Sequence, residues 1–171
     1  MSRIEFKYKK PIDSRAVSRV EINSELQNVY LLEANITSDP LTRDPRGSDL
    51  EYTVYTKVMK IEDKYFSIIA RFKITAIQEK NSKNPIMTIR AKYVLSYSFA
   101  KDNKPSAKEI EDFSKIKSLE NAWPYWREFV QNLTARMGFP TLTIPVLRFK
   151  IEESSKGAKS KPAKSEDMKE K

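Results

Sequence analysis

Carboxylates are the side chains with which this chain could most readily perform acid–base or magnesium-dependent chemistry. The sequence contains no histidine and no cysteine, so imidazole bases, thiolate nucleophiles and the usual zinc sites cannot be built from it. Its closest acidic groups, Glu62-Asp63 and Glu109-Glu111-Asp112, are more typical of a hairpin turn and a solvated helix face. With three glycines in total, it has no glycine-rich phosphate loop. These observations favour a protein that is not an enzyme and that uses no cofactor or metal.

The remaining candidate chemistry is apolar contact, which is concentrated in residues 121–149. Apolar residues recur there at i, i+4, i+7 and i+11, the spacing of one helical face. They are Trp126, Val130, Leu133 and Met137. Pro124 fits the first turn of such a helix, where its missing N–H costs nothing, and Gly138 fits a left-handed cap at its end. We therefore predict an amphipathic helix over 121–137.

An apolar arm, residues 139–147, follows the predicted helix. Pro140 and Pro145 prevent this stretch from continuing the helix. The arm has two interpretations: it either packs as a strap on the protein's own core or walls an exposed groove together with a preceding loop. In the second interpretation the groove is walled by Leu41, Phe139, Leu142, Ile144 and Val146, which would be its binding residues.

Apolar and polar residues alternate with a period of two in the segments that precede the helix. These segments are 26–36, 52–58, 66–76 and 87–97. Such alternation indicates one covered face and one wetter face, as in an antiparallel sheet. In the first segment a strict alternation would place Leu32 and Ile36 on the face opposite to Leu31. With helical patterns over 106–117 and 121–137 as cover, the sequence predicts an α+β fold, a four-stranded antiparallel sheet followed by a C-terminal helix and the apolar arm.

Charge and composition divide the chain into three regions. The chain carries a net charge of +9, and residues 1–20 hold six basic side chains against two acidic ones. Residues 151–171 hold six lysines against five acids and no aromatic residue, a composition that cannot order itself by burying apolar surface. We predict a basic N-terminal segment (1–20), a folded domain (21–150) and a disordered charged tail (151–171).

The location of the protein is suggested by what its sequence does not contain. No apolar run approaches the length of a membrane span, and the basic N-terminus leads into no apolar signal region. The absence of cysteine agrees with a reducing compartment. These features predict a cytoplasmic protein that does not insert into a membrane.

Residues 124–140 resemble the signature of the SecB family of export chaperones. In that family a helix opening on Pro-Tyr/Trp-x-Arg-Glu runs into a Gly-Phe-Pro turn. In this chain the two parts read PYWRE at 124–128 and GFP at 138–140. LQNVY at 26–30 is similar to the family's entry into its first strand, and the resemblance covers roughly residues 26–149.

The resemblance implies an ATP-independent holdase that binds non-native polypeptide in apolar grooves on a homotetramer, a dimer of dimers. The client would be either preproteins for export or a dedicated client, such as the antitoxin of a toxin–antitoxin–chaperone system. The helices are sandwiched between dimers in this family, so Trp126 would pack on the sheet or on a partner helix while Trp123 and Tyr125 face outward. The implied oligomer interface comprises Trp123, Trp126, Val130, Leu133 and Met137.

Two departures from the family pattern bear on whether the protein binds the translocase motor ATPase. Typical members are acidic and carry a second C-terminal helix, whereas this chain is basic and its residues 148–150 lead into the polar tail. In the family, acidic sheet residues and the C-terminal region bind the translocase motor ATPase. The departures therefore weigh against that partner and suit a dedicated client.

The alternative function is that of a basic nucleic-acid-binding or adaptor protein. Its candidate residues are Lys7, Lys9, Lys10, Arg15 and Arg19. No helix-turn-helix, zinc-finger or RRM signature accompanies them. Net charge by itself reports on solubility and non-specific association, so a solvated segment is the simpler interpretation.

Overall fold

A four-stranded antiparallel sheet with a long helical run across one face forms most of the structure. The structure, a computed structural model, describes residues 3–6, 11–39, 48–77 and 85–149. The strands are β1 (Arg3–Phe6), β2 (Ser24–Ser38), β3 (Asp49–Ile61), β4 (Tyr65–Ile77), β5 (Met87–Phe99) and β6 (Val146–Phe149). The α-helices are α1 (Ser14–Asn23), α2 (Ala107–Phe113) and α3 (Leu119–Arg136), with a short 3-10 turn at Lys101–Asn103.

The strand order in the sheet is β2-β5-β4-β3, and every neighbouring pair is antiparallel. This confirms the predicted α+β fold with four strands followed by a C-terminal helix. Glu62 and Asp63 form the turn between β3 and β4, where the Glu62 N–H donates to the Tyr65 carbonyl at 2.8 Å. A second, two-stranded sheet pairs β1 with β6 in parallel. No local pattern predicts this pairing, because its strands lie at opposite ends of the chain.

The core lies between the sheet and the helices. Alternate residues of β4 and β5 face the helices and are buried. They are Phe66, Ile68, Ala70, Phe72, Ile74, Ala76, Met87, Ile89, Ala91, Tyr93, Leu95, Tyr97 and Phe99. The ring centroid of Phe72 lies 5.4 Å from that of Trp126 and 5.8 Å from that of Trp123. Trp123 is 4% exposed, so the prediction that it faces outward is wrong: it fills the space between sheet and helix beside Trp126.

The helical run continues from α2 to α3 through a π-helical stretch, Ser114–Ser118. It begins with a capping box in which Ser106 and Glu109 bind each other's backbone N–H groups. Pro124 therefore lies inside α3 and not in a first turn. Because proline has no N–H, the Glu120 carbonyl loses its helical donor, and both residues are on the exposed side of the helix. The C-terminal cap is confirmed: Gly138 has φ 74°, and the Phe139 N–H donates to the Thr134 carbonyl at 3.0 Å in a Schellman motif.

Two β-bulges change which residues of β2 share a face. The register shifts between Leu26 and Asn28 and again between Leu31 and Glu33, and each shift inserts a residue that breaks the strict alternation. Leu31 lies opposite Tyr93 and Ile36 lies opposite Ile89. These two residues therefore share the helix-side face, and the prediction that they lie on opposite faces is wrong.

The N-terminal region contributes to the fold beyond the predicted boundary at residue 20, which falls inside α1. Asp13 caps this helix by accepting hydrogen bonds from the N–H groups of Arg15 and Ala16. Val17 and Val20 are buried on the side of α1 that packs against α2. The predicted disordered tail, 151–171, lies outside the described residues.

Candidate functional site

The predicted client-binding residues of the apolar arm divide into buried and exposed members. Phe139 is 5% exposed and Ile144 is 0% exposed, so both belong to the core. The expectation that Ile144 faces an open groove is therefore not met. Leu142 is partly buried, Val146 is 54% exposed, and Leu41 lies outside the described residues.

Hydrogen bonds to the backbone of the arm explain this division. The Trp123 indole N–H donates to the Pro145 carbonyl at 2.9 Å, and Arg127 Nε donates to the Ile144 carbonyl at 2.8 Å. The Leu142 N–H donates to Thr134 Oγ1 at 3.1 Å. These contacts hold the arm along α3 and direct Ile144 inward. The strap interpretation describes residues 139–145, whereas an exposed apolar surface begins at Val146.

The predicted interface residues of α3 are likewise divided. Trp126 and Val130 are 1% and 0% exposed, since the sheet of the same chain already covers them. Leu133 and Met137 keep partial exposure. Their role between copies of the chain stays a prediction. The outward apolar surface of α3 also includes Tyr125, which is 46% exposed, and the partly buried Phe129.

An apolar groove runs between β2 and α3; we call it the β2–α3 groove. Its volume is about 370 Å³. Its apolar walls consist of Val29, Leu31, Tyr93, Tyr125, Phe129 and Leu133, and its polar rim includes Glu128, Asn132 and Arg136. In its floor the Tyr93 hydroxyl donates to the Tyr125 carbonyl at 3.2 Å. Burial, reinforced by the Glu128 carboxylate, raises the pKa of Tyr93 above its ordinary value, so this donor keeps its proton at neutral pH.

Strand β2 continues the apolar surface beyond the groove. Its exposed large apolar residues are Leu26, Tyr30, Leu31, Leu32 and Ile36, each between 36% and 51% exposed. Within the described residues its one neighbouring strand is β5, so its other edge presents unpaired backbone groups. Open edges and apolar patches of this kind are sites of protein association. The sequence signal for this surface is the unbroken apolar run at 29–32. A strand covered on one face alternates apolar and polar residues, so such a run indicates a second apolar contact.

The carboxylates considered for chemistry are engaged with cations. Glu62 pairs with Lys60, and Glu109 pairs with Arg19 at 3.0 Å. Hydrogen bonds from the Ser106 backbone and side chain, together with Arg19, lower the pKa of Glu109. In the described part of the chain, no group of three or more acidic residues could hold a metal ion. No helix in that part is long and apolar enough to cross a membrane.

No protein-family model matches the chain, and no curated protein matches its sequence. Among solved structures, the fold is similar to that of the Mycobacterium tuberculosis SecB-like chaperone Rv1957, solved in complex with a ChAD peptide from the antitoxin HigA1. The TM-score is 0.65 at 16% identity, covering 79% of this chain and 98% of that chain. A Streptococcus agalactiae protein of unknown function gives a TM-score of 0.38 at 12% identity, covering 72% and 97%. The chain thus has a SecB-like fold.

Proposed function

We propose that the protein is an ATP-independent chaperone that holds non-native polypeptide, with an antitoxin as its dedicated client. The observation that carries this proposal is the exposed apolar end of the arm, next to an uncovered apolar surface on β2 and α3 through which copies could assemble, in a chain with a SecB-like fold. A holdase needs such a surface because apolar contact is non-directional and accepts many sequences. The Mycobacterium structure supports the choice of client, since the SecB-like chaperone in it is bound to an antitoxin peptide.

We assign the β2 edge and the β2–α3 groove to self-assembly. Pairing two β2 edges antiparallel around a two-fold axis would satisfy the free backbone groups and join two sheets into one. It would also bring the apolar residues Leu26, Leu31 and Ile36 of the two copies together. The outward side chains of α3, Tyr125 and Phe129, would then contact a second such pair, giving a homotetramer.

We assign the client to the exposed end of the arm. Val146 is 54% exposed, and Leu142, Leu147 and Phe149 are partly buried, so a bound apolar segment would cover them further. Leu41, predicted from the sequence for the same site, lies outside the described residues. Repetition of this weak site over the copies of an oligomer would raise the overall affinity through effective concentration.

Export of preproteins is less well supported than a dedicated client, because the chain carries a net charge of +9 whereas typical members of the family are acidic. The nucleic-acid alternative is weakened by the fold of the N-terminal region. Arg19 pairs with Glu109 at 3.0 Å instead of joining an open basic patch. Lys7, Lys9 and Lys10 lie outside the described residues.

Dilution of a chemically denatured model protein tests this function. We expect the full chain, without nucleotide, to suppress the light scattering of the aggregating substrate when present in excess. Unchanged scattering, or protection only with ATP, would refute the holdase proposal. A labelled antitoxin segment, compared with its scrambled sequence, then tests whether the client is dedicated.

A further inference from the structure

A compact basic patch lies on the outer face of the sheet, opposite to the face covered by helices. Arg71 and Lys73 project from β4, and Arg90 and Lys92 project from β5. We call these four residues the outer basic patch. They line a shallow depression of about 230 Å³ together with Tyr55 and Glu33.

The cations of the outer basic patch lie directly across from one another. Arg71 lies opposite Lys92, and Lys73 lies opposite Arg90 in the antiparallel register. Like charges in directly opposed cross-strand positions repel each other and destabilise a sheet. Two such pairs in adjacent rows therefore indicate a surface that is not arranged for the stability of the free chain.

Other residues of the chain neutralise only part of the positive charge of the outer basic patch. Lys92 pairs with Glu33, and the Arg71 guanidinium lies 5.6 Å from the centre of the Tyr55 ring. Arg90 makes a long hydrogen bond, 3.4 Å, to the Asn35 side-chain oxygen. Among the described residues, neither Arg71 nor Lys73 has a carboxylate within ion-pair distance. Residues 151–171 do not offer complementary charge either, with six lysines against five acids.

The extent of the patch distinguishes between two kinds of anionic partner. The next row of the outer face on one side holds Lys57, Ile69, Val94 and Tyr30, and the next row on the other side holds Glu51, Thr75 and Thr88. The cations therefore form a cluster that Lys57 extends by one row, and the carboxylates of Glu33 and Glu51 border it. Single-stranded nucleic acid is usually bound along a continuous basic track, whereas carboxylates border this cluster on two sides.

We propose that the outer basic patch docks an acidic segment of a partner polypeptide. Guanidinium groups bind carboxylates through paired, charge-assisted hydrogen bonds, and Arg71 is held in place for this by Tyr55. The patch and the helix-side apolar surfaces lie on opposite faces of one sheet. A partner docked here would therefore leave the chaperone surfaces free, and this docking does not depend on the proposed function.

Fluorescence polarisation with the full chain tests the docking. The probes are a labelled glutamate-rich peptide, the same peptide with glutamine in place of glutamate, and a labelled single-stranded oligonucleotide. The variant is Lys73→Gln with Arg90→Gln, and the matched control is Arg15→Gln with Lys64→Gln, which removes the same charge elsewhere. We expect the patch variant to bind the acidic peptide at least roughly tenfold more weakly than the wild type does, and the control to bind it nearly as well.

The thermal midpoint shows whether the variant is folded. Because the substitutions relieve cross-strand repulsion, the midpoint should be equal to or above that of the wild type. The proposal would be overturned if the wild type and the patch variant bound the acidic peptide equally well. It would also be overturned if the wild type bound the glutamine peptide as tightly as the glutamate-rich peptide. Tighter binding of the oligonucleotide than of the acidic peptide would also overturn it, in favour of a nucleic-acid surface. The patch variant should still suppress aggregation. A failure of the docking proposal can therefore be distinguished from a failure of the chaperone proposal.

Discussion

The indole of Trp126 is stacked on the ring of Phe72, with 5.4 Å between their centroids and 12° between their planes. This contact joins the middle of α3 to the centre of β4. The residue that we expected at an oligomer interface is therefore part of the chain's own core. Its neighbour Tyr125, on the outward side of the same turn, is the better probe of contact between copies.

Replacing Trp126 with alanine should destabilise the folded chain. Removing a buried aromatic side chain usually costs about 3–5 kcal/mol of unfolding free energy. Urea unfolding measures this loss, and Ile22→Ala is the control because its side chain is 82% exposed and lies outside the proposed contact surfaces. If the free energy of unfolding of Trp126→Ala stayed near that of the wild type, the stacked contact would not support the fold.

Replacing Leu31 with aspartate should reduce the mass of the particle in solution. The wild type should elute as an assembly several times the chain mass of 19.9 kDa, and a carboxylate in the β2–α3 groove should separate the copies because burying it unpaired is costly. Size exclusion coupled to light scattering measures the mass. Met59→Asp, on the opposite edge strand and 52% exposed, is the control. A monomeric wild type at micromolar concentration would contradict the proposed assembly.

Serine at Val146 should weaken client binding more than it weakens the fold. Covering an apolar side chain of this size is worth about 1.5–3 kcal/mol, so loss of Val146 should reduce client affinity about tenfold or more. Ile144→Ser, two residues earlier and fully buried, should instead lower the thermal midpoint strongly. Comparison of affinity and midpoint for the two variants tests the division of the arm. Early unfolding of Val146→Ser would show that its side chain is also structural.

The stability of α2 should decrease in acid through Asp112. Its side chain is 2% exposed and pairs with Lys108 at 2.8 Å and Lys115 at 3.2 Å. Desolvation acts to raise its pKa, but the hydrogen bonds and charges of Lys108 and Lys115 together outweigh it, so the pKa of Asp112 is lowered. A lowered pKa in the folded state means that this stability is present above the ordinary aspartate pKa of about 4 and is lost as the pH falls through the folded value.

Asp112→Asn tests this linkage. The variant should lose about 1–3 kcal/mol of unfolding free energy at neutral pH, the usual cost of breaking hydrogen bonds to a charged group. Its stability should also fall less steeply in acid than that of the wild type. Thermal unfolding over a series of pH values measures both effects, and parallel pH profiles of the two proteins would contradict the assignment to Asp112.

The sequence predicted those parts of the fold that are marked by a pattern within a short stretch of residues. The alternation in 66–76 and 87–97 identified the two central strands, and Gly138 identified the end of α3. The bulge between Leu31 and Glu33 was not predictable, because an inserted residue leaves no mark in a run that is apolar at every position from 29 to 32. Pro124 misplaced the start of α3, since helices tolerate proline where the orphaned carbonyl lies at the surface.

The sequence indicated the apolar segment that follows α3, but not which of its side chains are buried. Apolar residues after Gly138 indicated a contact surface, and the SecB resemblance agrees with the fold observed. The burial of Ile144 depends on Trp123 and Arg127, which bind the arm from 17 to 22 residues away in sequence. Distant contacts of this kind, like the pairing of β1 with β6, have no signal within a short window of sequence.

The two side-chain donors that hold the arm both bind main-chain oxygens. The indole of Trp123 and the guanidinium of Arg127 bind the carbonyls of Pro145 and Ile144, groups that every residue type supplies. The path of the chain at this point is therefore insensitive to the identity of the neighbouring exposed side chains. The exposed Val146 is therefore free to vary, or to be redesigned in a test of the proposed client site, while the frame that presents it stays the same.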